Sequence, residues 1–413
     1  MKKRILLVIP STTYRTADFM AAAGKMDAEV VVASDHRQAL AALVPDTTMS
    51  FAFDNPAQIR EKVLDAHLRK PFHAVVGVDD LSAYVAAIAG ETLSVSHNLP
   101  EAVYATLNKF EMRRRLEAGG CPVPPFRVFE ATKNPARLAK KVEYPCVLKP
   151  LFLSASRGVL RANNRDEFVD AFSRIAALLE EKEVRRRALG KEYRQILVEG
   201  YIPGVEVAVE GLLRDGELKT LAIFDKPDPL EGPTFVEGIY VTPSRLPAYV
   251  QLEVSARVRQ AALAVGLRQG PVHAELRINE NGAWPVEIAA RSIGGLCSRV
   301  LRFRDGVSLE ELILRQVLGE EVQAVQRERH AAAVMMLPIP REGVLERVDG
   351  MEEARKLEGV NGIVITIPAG QAVVPMPWGG RYLGFVFAEG VLPEDAEGAV
   401  RKAWEKLTVD IRA

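Results

Sequence analysis

Two glutamates and an arginine sit at alternating positions in one short stretch of the chain, Pro271 to Arg291. Val272, Ala274, Leu276 and Ile278 share a parity, which leaves His273, Glu275 and Arg277 on the opposite face of a strand. In the following segment Trp284, Val286, Ile288 and Ala290 form the apolar set, so Glu287, Ala289 and Arg291 point the other way. Asn279-Glu280-Asn281-Gly282 between them is turn chemistry. A two-residue Asn281-Gly282 loop would set Glu275 opposite Ile288 and mix polar with apolar on each face. A three-residue loop, Glu280-Asn281-Gly282, pairs Asn279 with Ala283 and Glu275 with Glu287, with Gly282 in the left-handed position. The second register keeps the apolar sets together and is the one expected.

Directly opposed residues hold their Cβ atoms about 4.5–5.5 Å apart. Two ionised carboxylates at about 5 Å repel by roughly 3 kcal/mol at an effective dielectric of about 20, and by under about 1 kcal/mol in bulk water. A pair in a cleft therefore needs a cation, whereas a solvent-facing pair does not. Oxygen ligands without a thiolate point to magnesium, which takes one or two carboxylates together with substrate phosphates. Arg291 could hold a second anion. The plainer reading is a half-exposed hairpin on which Arg277 or Arg291 pairs with the glutamates.

Other segments shift that balance. Tyr144 to Pro150 is an apolar strand carrying Lys149, followed by the small-residue loop Ser154-Ala155-Ser156-Arg157-Gly158. A lysine beside such a loop can neutralise phosphate oxygens while backbone N–H groups cover them; the alternative is a hairpin loop with a snorkelling lysine. Ile196 to Gly204 is an apolar strand broken by glycine and proline, which could offer backbone groups to a flat base, and Glu206 follows as a candidate acceptor for ribose hydroxyls.

In this order these segments resemble the ATP-grasp superfamily across nearly the whole chain. The resemblance rests on Asp79-Asp80, Asn108-Lys109-Phe110, Leu148-Lys149-Pro150, Ser156-Arg157-Gly158-Val159 and Val198-Glu199-Gly200-Tyr201. It continues through Gly204-Val205-Glu206, His273-Ala274-Glu275 and the run Glu287 to Gly295. It implies two α+β lobes gripping ATP behind an N-terminal α/β domain. By it, Lys109 and Lys149 would contact phosphates, the Ser156–Gly158 loop would close over them, and Glu199, Tyr201 and Ile202 would meet the adenine. Glu206 would meet the ribose, and Glu275 and Glu287 would ligate Mg2+. Two departures stand out: Ala289 where the superfamily commonly has asparagine, and a single glycine, Gly158, in the phosphate loop. Glu-x-Ala-Ala-Arg-x-x-Gly-Gly is similar to the carboxylate–amine ligases that join L-amino acids. In that branch an upstream glutamate completes the metal site, here Glu237 in Phe235-Val236-Glu237, and Arg291 would hold the substrate carboxylate. The implied reaction makes an amide through an acyl phosphate, releasing ADP and phosphate. A non-amino-acid acceptor and a catalytically silent ATP-binding sensor are the alternatives.

The elements that must position these residues follow from alternation of period. Strands are expected at Ile5–Ile9, Glu29–Ala33 and Ala74–Val78, with a helix at Asn55–Lys70 capped by Asn55 and opened by Pro56. That βα alternation predicts a parallel-sheet α/β domain over residues 1–105. The turn Pro10-Ser11-Thr12-Thr13-Tyr14 carries no GxGxxG, so a dinucleotide site of that kind is unsupported. Residues 106–320 are expected to be the α+β nucleotide and metal domain, including one helix over Arg165–Ala188 with a solvated charged half. Residues 321–413 form a small α+β part ending in a helix near Glu394–Leu407. The 413 residues are 48% hydrophobic and carry 54 basic and 54 acidic side chains, so no basic excess points to nucleic acid. The start Met1-Lys2-Lys3-Arg4 is followed by too short an apolar run for a signal peptide, and no run is long enough to span a bilayer. Three scattered cysteines exclude a disulfide framework. A cytoplasmic enzyme acting on small-molecule carboxylates and amines is expected, with a homodimer allowed and neither nucleic acid nor membrane as partner.

Overall fold

A computed structural model describes residues 2–11, 13–36, 47–322 and 325–413. Strands β1 (Arg4–Ile9), β2 (Glu29–Ser34), β3 (Thr48–Ser50) and β4 (Ala74–Gly77) form a parallel sheet in the order β3-β2-β1-β4. All six residues of β1 are buried, the continuous apolar pattern of a parallel strand covered on both faces. The helix Pro56–Arg69 is capped as expected, with the Asn55 side chain accepting from the Gln58 N–H. The Asp79 side chain caps the helix Asp80–Leu93, which fixes Asp79-Asp80 at the end of β4. Of the turn after β1, Thr12 lies outside the described residues, as does Met1 of the N-terminal run.

Two antiparallel sheets follow. The smaller contains β5 (Phe126–Glu130), β6 (Cys146–Pro150), β7 (Leu160–Ala162) and β8 (Gln195–Gly200) in the order β5-β8-β6-β7. The helix Arg165–Glu180 packs on it through Phe168, Phe172, Ile175 and Leu179. This helix does not run to Ala188: Glu181 is extended, and a short helix, Lys182–Arg185, resumes after it. The break lets Val184 reach the core and turns Glu181 toward Arg157, 3.0 Å away. The charged side chains from Glu181 to Arg187 nevertheless stay exposed, as expected of a solvated face.

The larger sheet has eight strands. β9 (Val205–Arg214), β10 (Glu217–Asp225), β11 (Ile239–Thr242), β12 (Gly270–Asn279) and β13 (Gly282–Ala289) run in the order β13-β12-β9-β10-β11. Ala331–Leu337, Gly384–Gly390 and Val360–Ile365 extend it beyond β11, while Gly343–Asp349, Ala372–Val373 and Thr408–Arg412 form a separate three-stranded sheet, so the chain closes on a strand and not on the expected helix. Val207, Val209, Val272, Ala274, Leu276 and Ile288 on one face meet Val254, Val258 and Ala262 of the helix Ala248–Val265. The last helix spans Pro393–Lys406. Among the described residues no helix is long and apolar enough to cross a membrane.

The hairpin reaches the expected pairing by a different route. The turn holds two residues, Glu280 and Asn281, with Asn279 opposite Gly282 and Ile278 opposite Ala283. An extra residue in β13, Val286, then shifts the register, so that Leu276 faces Pro285 but Glu275 faces Glu287. This bulge brings Pro285 and Ile288 to the core and still turns Glu287 toward the opposite face. The parity that set Val286 among core residues is corrected: Val286 is only partly buried and lines a cavity.

Gly204, at the entry to β9, has φ +118°, and a Cβ there would lie 2.1 Å from the Ile278 carbonyl oxygen. Gly398 lies inside the last helix with nothing within 4 Å of a Cβ. Gly204→Ala is expected to lower the unfolding free energy by more than about 1 kcal/mol. Gly398→Ala is expected to raise it by about 0.5–1 kcal/mol. Urea denaturation of the two variants checks both signs.

Candidate active site

The polar face of β9 and β12 turns into a cavity of about 900 Å³ between the two antiparallel sheets and the N-terminal domain. β9 presents Glu206, Ala208 and Glu210; β12 presents Arg277, Glu275 and His273 directly opposite them. Arg277 donates to Glu206 at 2.9 Å, and His273 Nδ1 lies 2.5 Å from Glu210. Burial disfavours the His273 charge, but Glu210 and Glu275 outweigh it and raise its pKa to about 9. Glu275 faces small Ala208 and finds its cation elsewhere. Lys226, one residue past β10, reaches in with its ammonium 2.7 Å from Glu206, 3.4 Å from Glu275 and in contact with Glu237.

Oxygens of Glu206, Glu237 and Glu275 lie within 4.8 Å of one another. At about 4 Å and an effective dielectric of about 20, each ionised pair repels by roughly 4 kcal/mol, so the three need a cation. Burial and the neighbouring Glu275 push the Glu237 carboxyl up. Glu275, despite its burial, is held down by Lys226 and His273. Three hard oxygen donors fit magnesium. Glu287, expected as a ligand, lies opposite Glu275 in the hairpin with its carboxylate 3.3 Å from the Lys109 ammonium. Glu206, expected at the ribose, stands inside the acid trio.

Lys149 on β6 is buried and 2.6 Å from Glu199 on β8, which rules out a snorkelling lysine. Burial lowers the Lys149 pKa, and Glu199 opposes that. Arg113, fully buried, donates to both oxygens of Glu199 at 2.7 and 3.1 Å and to the carbonyls of Pro285 and Val286 at 3.1 and 3.0 Å. It therefore satisfies the carbonyls at the bulge and ties them to the Lys149 partner. The Glu199 carboxylate is engaged by these cations at the cavity wall. Lys109 donates to the Leu153 carbonyl at 2.8 Å, beside the loop carrying Ser156. That loop is pinned to the C-terminal segment: the Gly158 N–H donates to Pro377 and Arg157 to Trp378, both at 2.9 Å. Ser156 lines the cavity, whereas Gly158 packs behind it, where a Cβ would come within 2.8 Å of Leu178.

Tyr201 stacks on Phe235 with ring centroids 6.4 Å apart. Its N–H donates to the Pro145 carbonyl, and the Ile202 carbonyl accepts from Arg277. Arg291 donates to Asp80 at 2.8 and 3.4 Å, which docks the N-terminal domain on the hairpin. Arg15 adds a bond to Ser292.

All the expected site residues except Gly158 line this one cavity. The sequence reading missed Lys226, Arg113, Glu210 and Asp80 as partners. Glu210 was legible, since it continues the Glu206–Ala208 parity. Arg113 was hidden in the run Arg113-Arg114-Arg115, and Lys226 in a proline-rich loop whose course no local pattern gives.

Burial favours the neutral form of Glu199, but Arg113 and Lys149 hold its carboxyl down to about 2. A depressed folded pKa contributes stability that is present above the unfolded value and lost as pH falls toward the folded one. Wild-type stability is therefore expected to fall by up to roughly 3 kcal/mol as pH drops from about 4.5 toward 2 through this group. Glu199→Gln is expected to cost about 3–5 kcal/mol at neutral pH and to flatten that acid slope, read by chemical denaturation across pH.

The ATP-grasp domain family matches residues 142–300, and the L-amino acid ligase C-terminal domain 2 family matches residues 335–412. An L-arginine-specific L-amino acid ligase of Bacillus subtilis is 26% identical over 276 residues, 66% of this chain and 64% of that protein. An uncharacterised Sinorhizobium fredii protein is 27% identical over 312 residues, 75% of this chain and 62% of its own length. The chain thus spans under two thirds of the length of these curated relatives. The crystal structure of an L-amino acid ligase from Bacillus licheniformis superposes with a TM-score of 0.84 at 24% identity, covering 100% of both chains. An ATP-grasp domain thus spans residues 142–300 and an L-amino acid ligase C-terminal domain residues 335–412, and the chain resembles L-amino acid ligases in sequence and in fold.

Proposed function

We propose that the chain is an ATP-dependent carboxylate–amine ligase that joins amino acids through an acyl phosphate and releases ADP and phosphate. The observation that carries this reading is the placement, in one cavity, of buried cations at Lys109 and Lys149 and of the acid trio Glu206, Glu237 and Glu275. In this reading residues 106–320 hold the nucleotide, residues 1–105 contribute Asp80 and Arg15 to the acceptor side, and residues 321–413 pin the phosphate loop.

The base would lie against Tyr201 and meet the Tyr201 carbonyl and the Ile202 N–H. Lys149 and Lys109 would neutralise phosphate oxygens, and the Ser154–Ser156 backbone would cover them. Glu206, Glu237 and Glu275 would hold magnesium, which when bound supplies charge that stabilises the transferring phosphoryl group, with Glu287 beside them on Lys109. Arg291 would orient a substrate carboxylate, with Asp80 fixing the plane of its guanidinium. The substrate carboxylate oxygen attacks the γ-phosphorus and ADP departs. An amine then attacks the acyl carbon, and phosphate leaves as the amide forms. Enclosure of the cavity by three parts of the chain would keep water from the acyl phosphate.

Incubation with Mg-ATP and pairs of amino acids is expected to yield new dipeptide masses with one ADP per amide. AMP and pyrophosphate, or ADP without any amide from any pair, would contradict the assignment. Lys149→Met is expected to lower kcat by about 10²–10³-fold while the protein stays folded, checked by coupled ADP release and thermal melting.

A further inference from the structure

The Lys226 ammonium occupies the space between the carboxylates that a metal ion would need. It lies 2.7 Å from Glu206 and 3.4 Å from Glu275, touches Glu237, and stands 5.2 Å from the centre of the Tyr240 ring. Its side chain is 3% exposed, so bulk water supplies little of its solvation. A divalent ion bound by the same oxygens would sit within a few ångströms of the ammonium and be repelled by it. Metal entry therefore requires Lys226 to move, and a moved ammonium needs another anion. Three other carboxylates nearby are already engaged, Glu287 by Lys109, Asp80 by Arg291 and Glu210 by His273. A nucleotide phosphate in the same cavity would supply that anion.

We propose that Lys226 is the resident counter-ion of the Glu206–Glu237–Glu275 trio and makes divalent-metal binding conditional on nucleotide phosphate. Without nucleotide, Lys226 satisfies the trio and the metal is kept out. With nucleotide, the ammonium turns to phosphate oxygens, and the metal takes the carboxylates it has left. Metal and nucleotide affinities are then coupled, and the coupling is reciprocal. This inference rests on the reading of the cavity as a nucleotide–metal site, but not on which substrates are joined.

The test is calorimetric titration of Mn2+ into the full chain with and without ADP, for wild type, Lys226→Gln and Lys226→Arg. Wild type and Lys226→Arg are expected to bind Mn2+ at least tenfold more tightly with ADP than without it. Lys226→Gln is expected to gain at least tenfold in nucleotide-free affinity and to lose a matching part of the ADP effect. Adding Glu237→Gln to Lys226→Gln should remove the gain, which locates it at the trio. If Lys226→Gln is too unstable to titrate, the rise of its melting temperature with Mn2+, set against that of wild type, reads the same difference. Nucleotide-free Mn2+ affinities within twofold of each other in wild type and Lys226→Gln, or tight Mn2+ binding by wild type alone, would overturn the role of Lys226. Failure to ligate any amino-acid pair would instead overturn the ligase reading and leave the Mn2+ result standing.

Discussion

The cavity face of β12 carries three charged side chains in a row, two buried and Glu275 partly so, and each is tolerated there only because a neighbouring strand or loop supplies the opposite sign. A charge moved into a protein interior costs several kcal/mol unless it is paired and hydrogen-bonded. His273 meets Glu210, Arg277 meets Glu206, and Glu275 meets Lys226. The β9–β12 register sets the first two pairs directly opposite each other, and a one-residue slip would bury all of them against valine and leucine instead. Apolar packing on one face of the ladder and charge matching on the other therefore select the same register.

The same constraint reaches outward from this ladder. The Val286 bulge turns Glu287 toward Lys109, and its carbonyls are satisfied by Arg113, which also pairs with Glu199, the partner of Lys149. A displacement of the hairpin would thus be felt at the lysine on the opposite sheet. Arg291, just past β13, ties the N-terminal domain to this frame through Asp80. The C-terminal segment closes the remaining side by holding Arg157 and Gly158. The cavity is shaped jointly by segments more than two hundred residues apart in sequence, and the cationic and acidic ends stay separate because each is internally neutralised.

Much of this was legible in local patterns. Two-residue alternation gave β12 and β13 and the opposition of Glu275 and Glu287, and the Asn55–Pro56 signal gave the helix Pro56–Arg69. The loop length was misread because parity alone cannot tell a longer turn from a shorter turn followed by a bulge; both restore the apolar faces. The helix break at Glu181 depends on Val184 finding a place in a distant core, which no periodicity within the segment encodes. The pairings of Glu199 with Arg113, of Glu206 with Arg277 and Lys226, and of Arg291 with Asp80 join residues far apart in sequence. Sequence motifs indicated which of these residues face the cavity, whereas tertiary structure decided which charges they meet.

The proposed chemistry is tested most directly by following oxygen. An amino acid labelled with 18O in its carboxylate is supplied with Mg-ATP and an unlabelled amine acceptor, and the released phosphate and the amide are analysed by mass spectrometry. Passage through an acyl phosphate predicts one 18O in the phosphate for each amide formed, with ADP as the only nucleotide product. Label absent from phosphate, or found in AMP, would contradict phosphoryl transfer to the substrate carboxylate.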